Sequence, residues 1–140
     1  MKSLPTQEDF GDMVDLDIAT AWKRFGNKTL EEAYNLFDTN PLCYQEDLMW
    51  MGDKAFVFYF PIALRFILSE NAKGACDAVS SIATMLEFRF EYGAAGIKEV
   101  FPDIRSLCDY VISHYELFDI NAEIYGDVKG KYVALKQLAI

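Results

Sequence analysis

Apolar and polar residues succeed one another along this chain with the period of a helix. Ile18, Ala21, Trp22 and Phe25 fall at i, i+3, i+4 and i+7, the spacing that gathers side chains on one helical face. Asp15 or Asp17 is placed to start this helix and Gly26-Asn27 to end it. Leu30, Ala33, Tyr34 and Phe37 repeat the stripe. They follow Thr29-Leu-Glu-Glu32, a capping box in which the hydroxyl and the carboxylate each satisfy an amide at the helix start. Asp38-Thr39-Asn40-Pro41 breaks that helix, and Leu42 to Met51 reads as a looser one ending at Gly52. Ala75, Val79, Ile82, Ala83, Leu86 and Phe90 mark a longer helix that ends at Gly93. Met85 and Phe88 fall off its stripe and predict contact on a second face. After a turn at Gly93-Ala-Ala-Gly96, Phe101-Pro102-Asp103 opens the most regular amphipathic helix, carried by Ile104, Leu107, Cys108, Val111, Ile112 and Tyr115. Arg105 and Asp109 are spaced for an ion pair on its polar side. Phe118 to Tyr125 has no readable period. Val128, Tyr132, Leu135 and Ala139 mark a last helix, with Lys131 and Lys136 toward its negative end.

The most apolar stretch, Ala55 to Leu68, contains Arg65 as its only charge. Continuity of apolar residues does not separate a buried helix from a strand followed by a helix. Pro61 removes a helical hydrogen bond, and the residue before a proline is biased toward extended backbone. No other stretch alternates as a strand partner would, so the expectation is a central helix kinked at Pro61 with Asp53 as its N-cap. The run is too short for a membrane span, which takes about 20 apolar residues. Residues 1–14, with Pro5, Gly11 and the acids Glu8, Asp9 and Asp12, read as a flexible lead-in. The expected architecture is all-α: one domain over residues 15–140, six or seven short helices around the aromatic-rich centre.

Composition narrows the function. At 140 residues and 52% hydrophobic content the chain suits one domain with a sizeable core. Thirteen basic against 22 acidic residues give a net charge of −9, which opposes nucleic acid and anionic membranes and favours a basic protein partner. The three cysteines, Cys43, Cys76 and Cys108, lack disulfide or zinc spacing and read as reduced thiols. The amino terminus has no apolar signal core, so the expected compartment is the cytoplasm. Cys76-Asp-x-Val-x-Ser81 recurs at Cys108-Asp-x-Val-x-Ser113, but so little else agrees that coincidence explains it better than a structural repeat.

Candidate chemistry is sparse. His114 is the only histidine, which excludes multi-histidine metal sites, and it falls at the edge of an apolar stripe with no nucleophile assigned to it. Of the carboxylate pairs, only Glu87 and Glu91 lie one turn apart on a single helical face. No phosphate-binding glycine loop, nucleophile elbow or dinucleotide fingerprint occurs. No catalytic, cofactor-binding or metal-ligating residue is therefore expected. The candidates for partner binding are the carboxylates Glu46, Asp47, Glu87 and Glu91, with Tyr44 and Trp50 as aromatic anchors.

One resemblance adds to this reading. Ala21-Trp22, Leu30-Glu-Glu-Ala33, Asp47-x-x-Trp50 and Ala55-Phe-x-Phe-Tyr-Phe-Pro-Ile-Ala63 resemble a family of small, uncharacterised bacterial proteins. In that family an aromatic Tyr-x-Pro-Ala segment follows an acidic residue and a tryptophan. The likeness covers roughly residues 18–70, with Pro-Ile-Ala here in place of Pro-Ala. It implies a helical bacterial protein and supplies no catalytic residues. The functional expectation is a small acidic interaction module, immunity- or antitoxin-like toward a basic partner. The alternatives are a ligand-binding or enzymatic domain with an aromatic-lined pocket, and a self-associating protein with an apolar patch that includes Met85 and Phe88.

Overall fold

Helix begins earlier than the hydrophobic pattern predicts. The computed structural model describes residues 3–140, and Met1 and Lys2 lie outside the described residues. In α1 (Gln7–Phe10) the Thr6 hydroxyl accepts from the Asp9 amide and the Asp9 carboxylate accepts from the Thr6 amide. Phe10 is fully buried and packs edge-on against Trp22, with its ring centroid 6.1 Å from that of Tyr59. The flexible lead-in expected over residues 1–14 is thus corrected for Gln7–Phe10. One phenylalanine among acidic neighbours anchors the segment to the core.

The next elements follow their local signals. Asp15 caps α2 (Leu16–Phe25), accepting from the amides of Asp17 and Ile18, and Asn27 turns the chain after it with φ +63°. Thr29 and Glu32 form the expected capping box of α3 (Leu30–Thr39), at 2.9 and 3.2 Å. The hydrogen bond donated by the Thr29 amide, with the Thr29 hydroxyl beside it, holds the Glu32 carboxyl below its ordinary pKa. Asn40 caps α4 (Pro41–Trp50), whose proline sits in the first turn, where its missing N–H costs little.

The central stretch is two short helices, α5 (Asp53–Tyr59) and α6 (Pro61–Ile67). Phe60 between them keeps helical dihedrals, φ −53° and ψ −35°, against the usual pre-proline bias. It is fully buried with its ring 5.4 Å from Phe56, and packing outweighs the local preference. Asp53 is not the N-cap: Gly52 is, without a side-chain cap, and the Asp53 carboxylate turns to Arg89. Gly52 is required by close approach, because its amide donates to the Phe10 carbonyl at 2.8 Å and a Cβ there would lie 2.3 Å from the Asp9 carbonyl oxygen.

The second half is α7 (Cys76–Gly93), a 3-10 stretch (Ala94–Val100), α8 (Phe101–Ser113), a one-turn α9 (Ala122–Tyr125) and α10 (Val128–Leu138). Met85 is fully buried, as its place off the stripe predicts. Cys76 is the first residue of α7 whereas Cys108 lies within α8, so the two similar segments are not equivalent in structure. Arg105 and Asp109 do not pair with each other. Both reach across to the carboxy-terminal segment: Arg105 donates to the Ala139 carbonyl and Asp109 pairs with Lys136 at 2.5 Å.

The result is an all-α domain. Among the described residues it has eight α-helices of at least seven residues and no strand. The expected six or seven become eight because the central helix divides at Pro61. The core is continuous from Phe10 through Phe56, Tyr59, Phe60 and Phe66 to Tyr132. Tyr59 and Tyr132, both fully buried, have their phenols satisfied: Tyr59 is shared between the carbonyls of Phe25 and Lys28, and Tyr132 donates to the Val79 carbonyl at 2.6 Å. Among the described residues no helix is long and apolar enough to cross a membrane.

Among the described residues Arg89 is the one buried cation, 7% exposed on α7. Its guanidinium donates to the carbonyls of Met49 and Met51 and to Asp53 at 2.7 Å, and it lies 4.4 Å over the Phe56 ring. It thereby closes the corner between α4 and α5 onto α7. Gly96 belongs to the same arrangement, since a Cβ there would come 1.9 Å from an Asp53 carboxylate oxygen. Replacing Arg89 with Leu strands these carbonyls without a donor, and a loss of ~3 kcal/mol is expected. Urea unfolding of Arg89→Leu and Arg89→Lys beside the parent measures this, with the lysine variant intermediate because it retains charge without the fork.

Candidate functional site

Trp50 ends α4, and the hold of Arg89 on the carbonyls either side of it fixes where its ring lies. α4 packs against α7, and the Trp50 ring meets Phe88 edge-on at 5.1 Å. Phe88 meets Tyr92 one turn further along at 4.9 Å. Tyr92 leaves the helical path, with φ −112° and ψ 15°, and is 69% exposed, whereas Trp50 and Phe88 are half-buried. The three rings form a ladder that starts against the core and ends in water. Glu87 and Glu91 flank it on α7, both exposed, and Glu46 lies exposed one turn before Trp50 on α4.

The structure divides the six candidate residues into two groups. Trp50 meets α7 through Phe88, whose chain neighbours on that helix include the exposed Glu87, turned to Lys131 of α10, and Glu91, while Glu46 is exposed on α4. Tyr44 and Asp47 face α2 instead. Tyr44 meets Phe25 edge-on at 5.9 Å and lies beneath the Arg24 guanidinium at 5.4 Å. Asp47 is 3% exposed and takes both its hydrogen bonds, at 3.3 Å, from Arg24, which also contacts the Cys43 thiol. As a surface contact for a partner Asp47 is corrected, because it is buried where α2 packs on α4; Tyr44 is half-buried at the same joint.

Sequence reasoning missed Arg89 and Tyr92. A lone arginine between two phenylalanines gave no signal of its burial, and the exposure of Tyr92 depends on where α7 stops. The spacing of Phe88 and Tyr92, with Glu87 and Glu91 beside them, was the available sign of a ladder bordered by acid. The apolar patch expected around Met85 and Phe88 keeps only Phe88, since Met85 is buried.

The remaining chemistry lies elsewhere. Glu87 pairs with Lys131 at 3.7 Å, and no group of three metal-ligating side chains occurs among the described residues. Cys43, Cys76 and Cys108 are free thiols, and burial pushes Cys108 up to about 12. His114 is exposed and stacks on Tyr110 at 4.2 Å. The central rings Phe56, Tyr59, Phe60 and Phe66 are buried. The groove beside α5, about 350 Å³, is bordered by Lys54, Val57, Phe58, Asp9 and Glu99 and opens to solvent. No family model, curated protein or solved structure matches this chain.

Asp47 gives the fold a pH dependence. Burial pushes its carboxyl up to about 6, outweighing the opposite pull of Arg24, whereas an unperturbed side chain titrates near 3.8. Between those values the folded chain retains a proton that the unfolded chain has released. The contribution is therefore full below about pH 4 and is lost as pH rises through 6. Asp47→Asn should remove this slope. Unfolding free energies of parent and variant, measured from pH 3.5 to 7.5, are expected to diverge by at most ~3 kcal/mol over that window, the parent falling relative to the variant.

Proposed function

We propose that this protein is a protein-interaction module that docks a basic partner through the aromatic and acidic surface formed by α4 and α7. The observation that carries this reading is the Trp50–Phe88–Tyr92 ladder, left partly in water and bordered by Glu46, Glu87 and Glu91. Tryptophan and tyrosine supply large contact area at little entropic cost and are the side chains on which binding energy concentrates. Acidic groups around them speed association with a basic protein and fix its orientation. The net charge of −9 acts in the same direction over a longer range.

An immunity- or antitoxin-like role, in which the chain covers a basic surface of another protein, fits this chemistry. So does membership in the small bacterial helical family that residues 18–70 resemble, with action in the cytoplasm. The rings sit on rigid helices clamped by Arg89, so little ordering is required on binding, which favours affinity.

The chain is best expressed with an affinity tag in its native cells and recovered at low and at moderate salt. A basic protein in stoichiometric amount is expected, reduced as salt rises. It should be lost from Glu91→Lys and Tyr92→Ala chains, whose changes fall on exposed side chains. Recovery of the chain alone at both salt levels, or retention of the partner by both variants, would refute the proposal.

A further inference from the structure

Arginine is used in one recurrent way in this molecule. Arg65 lies 3.9 Å over the Tyr34 ring and pairs with Glu31 at 2.6 Å. Arg89 lies 4.4 Å over Phe56 and pairs with Asp53 at 2.7 Å. Arg24 lies 5.4 Å over Tyr44 and pairs with Asp47 at 3.3 Å. Three of the four arginines thus combine the face of a ring with a carboxylate beside it. The combination has a physical basis: a planar guanidinium is attracted to the ring quadrupole while its fork donates in-plane to the carboxylate oxygens.

The surface of α4 and α7 holds the same two components without the third. Phe88 and Glu91 are three residues apart on α7, and Tyr92 follows directly. Among the described residues no cation lies over Trp50, Phe88 or Tyr92, and Glu91 has no ion-pair partner. Lys131, the nearby ammonium, is engaged with Glu87. We infer that the partner supplies the missing cation as an arginine side chain, stacked on the exposed Tyr92 end of the ladder and paired with Glu91. This rests on the interaction reading above and specifies the partner chemistry at the same surface. The docking element is an arginine-bearing basic segment of a protein. A lysine-rich one would place a strongly hydrated point charge where a flat, forked group fits.

The full chain, labelled with 15N, can be titrated with capped hexa-arginine, hexa-lysine and hexa-citrulline peptides and followed by NMR. The two indole signals report Trp50 separately from Trp22, which packs against Phe10. Hexa-arginine is expected to shift the Trp50 indole and the Glu91 and Tyr92 amides, with hexa-lysine at least three-fold weaker and hexa-citrulline without saturable effect. Glu91→Gln and Tyr92→Ala should each weaken hexa-arginine about three- to five-fold, the size of one exposed cation–π contact or ion pair. Equal affinity for the arginine and lysine peptides, shifts confined to the acidic Asp12–Asp17 segment, or unchanged binding by both variants would overturn the inference. If the cellular partner is nevertheless lost from the Tyr92→Ala chain, the interaction surface stands and only the arginine assignment falls.

Discussion

A guanidinium taken out of water must find partners for its donors, and this requirement at Arg89 organises the middle of the molecule. Its hydrogen bonds go to the Met49 and Met51 carbonyls and to Asp53, three groups that belong to the corner between α4 and α5. Those carbonyls lie beyond the reach of helical bonding at the end of α4, so the cation satisfies acceptors that would otherwise be stranded. The same contact draws Asp53 against Gly96 and seats Phe56 under the guanidinium. α4, α5, α7 and the 3-10 stretch after it are thereby joined at one point.

The outer surface inherits its geometry from that buried contact. Trp50 lies between the two clamped carbonyl residues, and its ring falls on Phe88, the neighbour of Arg89 on α7. On its inward side this part of α7 carries Arg89, hydrogen-bonded to the α4–α5 corner, beside the apolar Met85 and Leu86, and Phe88 and Tyr92 lie further out. Of the ladder's three rings Tyr92 stands mostly in water, and Trp50 and Phe88 are half-buried. Its acidic border comes from α7 itself, where Glu87 and Glu91 repeat one turn apart.

The same pairing of ring, arginine and carboxylate appears at three places with different burial. At Arg89 it is enclosed, at Arg24 it spans the joint of α2 and α4, and at Arg65 it lies on the surface. In an acidic chain with few cations, this economy places the arginines where both a charge and a flat face are needed. Asp47 shows the limit of the arrangement: its carboxyl is so deeply enclosed that burial outweighs the neighbouring guanidinium.

By itself the sequence determined the helical class, most helix limits and the identity of the core. Capping at Thr29, the turn after Phe25, the stripe from Ile104 to Val111 and the aromatic centre are all local, because helix signals act within one or two turns. Trp50, Glu87 and Glu91 were legible as candidates by residue type and spacing. Only the tertiary structure decided which of them meet. Arg89, Phe10 and Asp53 each sit among neighbours that hide their role, since an arginine on a helix or an aspartate before one reads the same whether it faces water or a distant corner. Asp47 shares a helix with Trp50, yet α2 packs over it and buries it while Trp50 stays half-buried. Which side of a helix is covered depends on contacts between residues far apart in the chain, and no periodicity within a single helix records them.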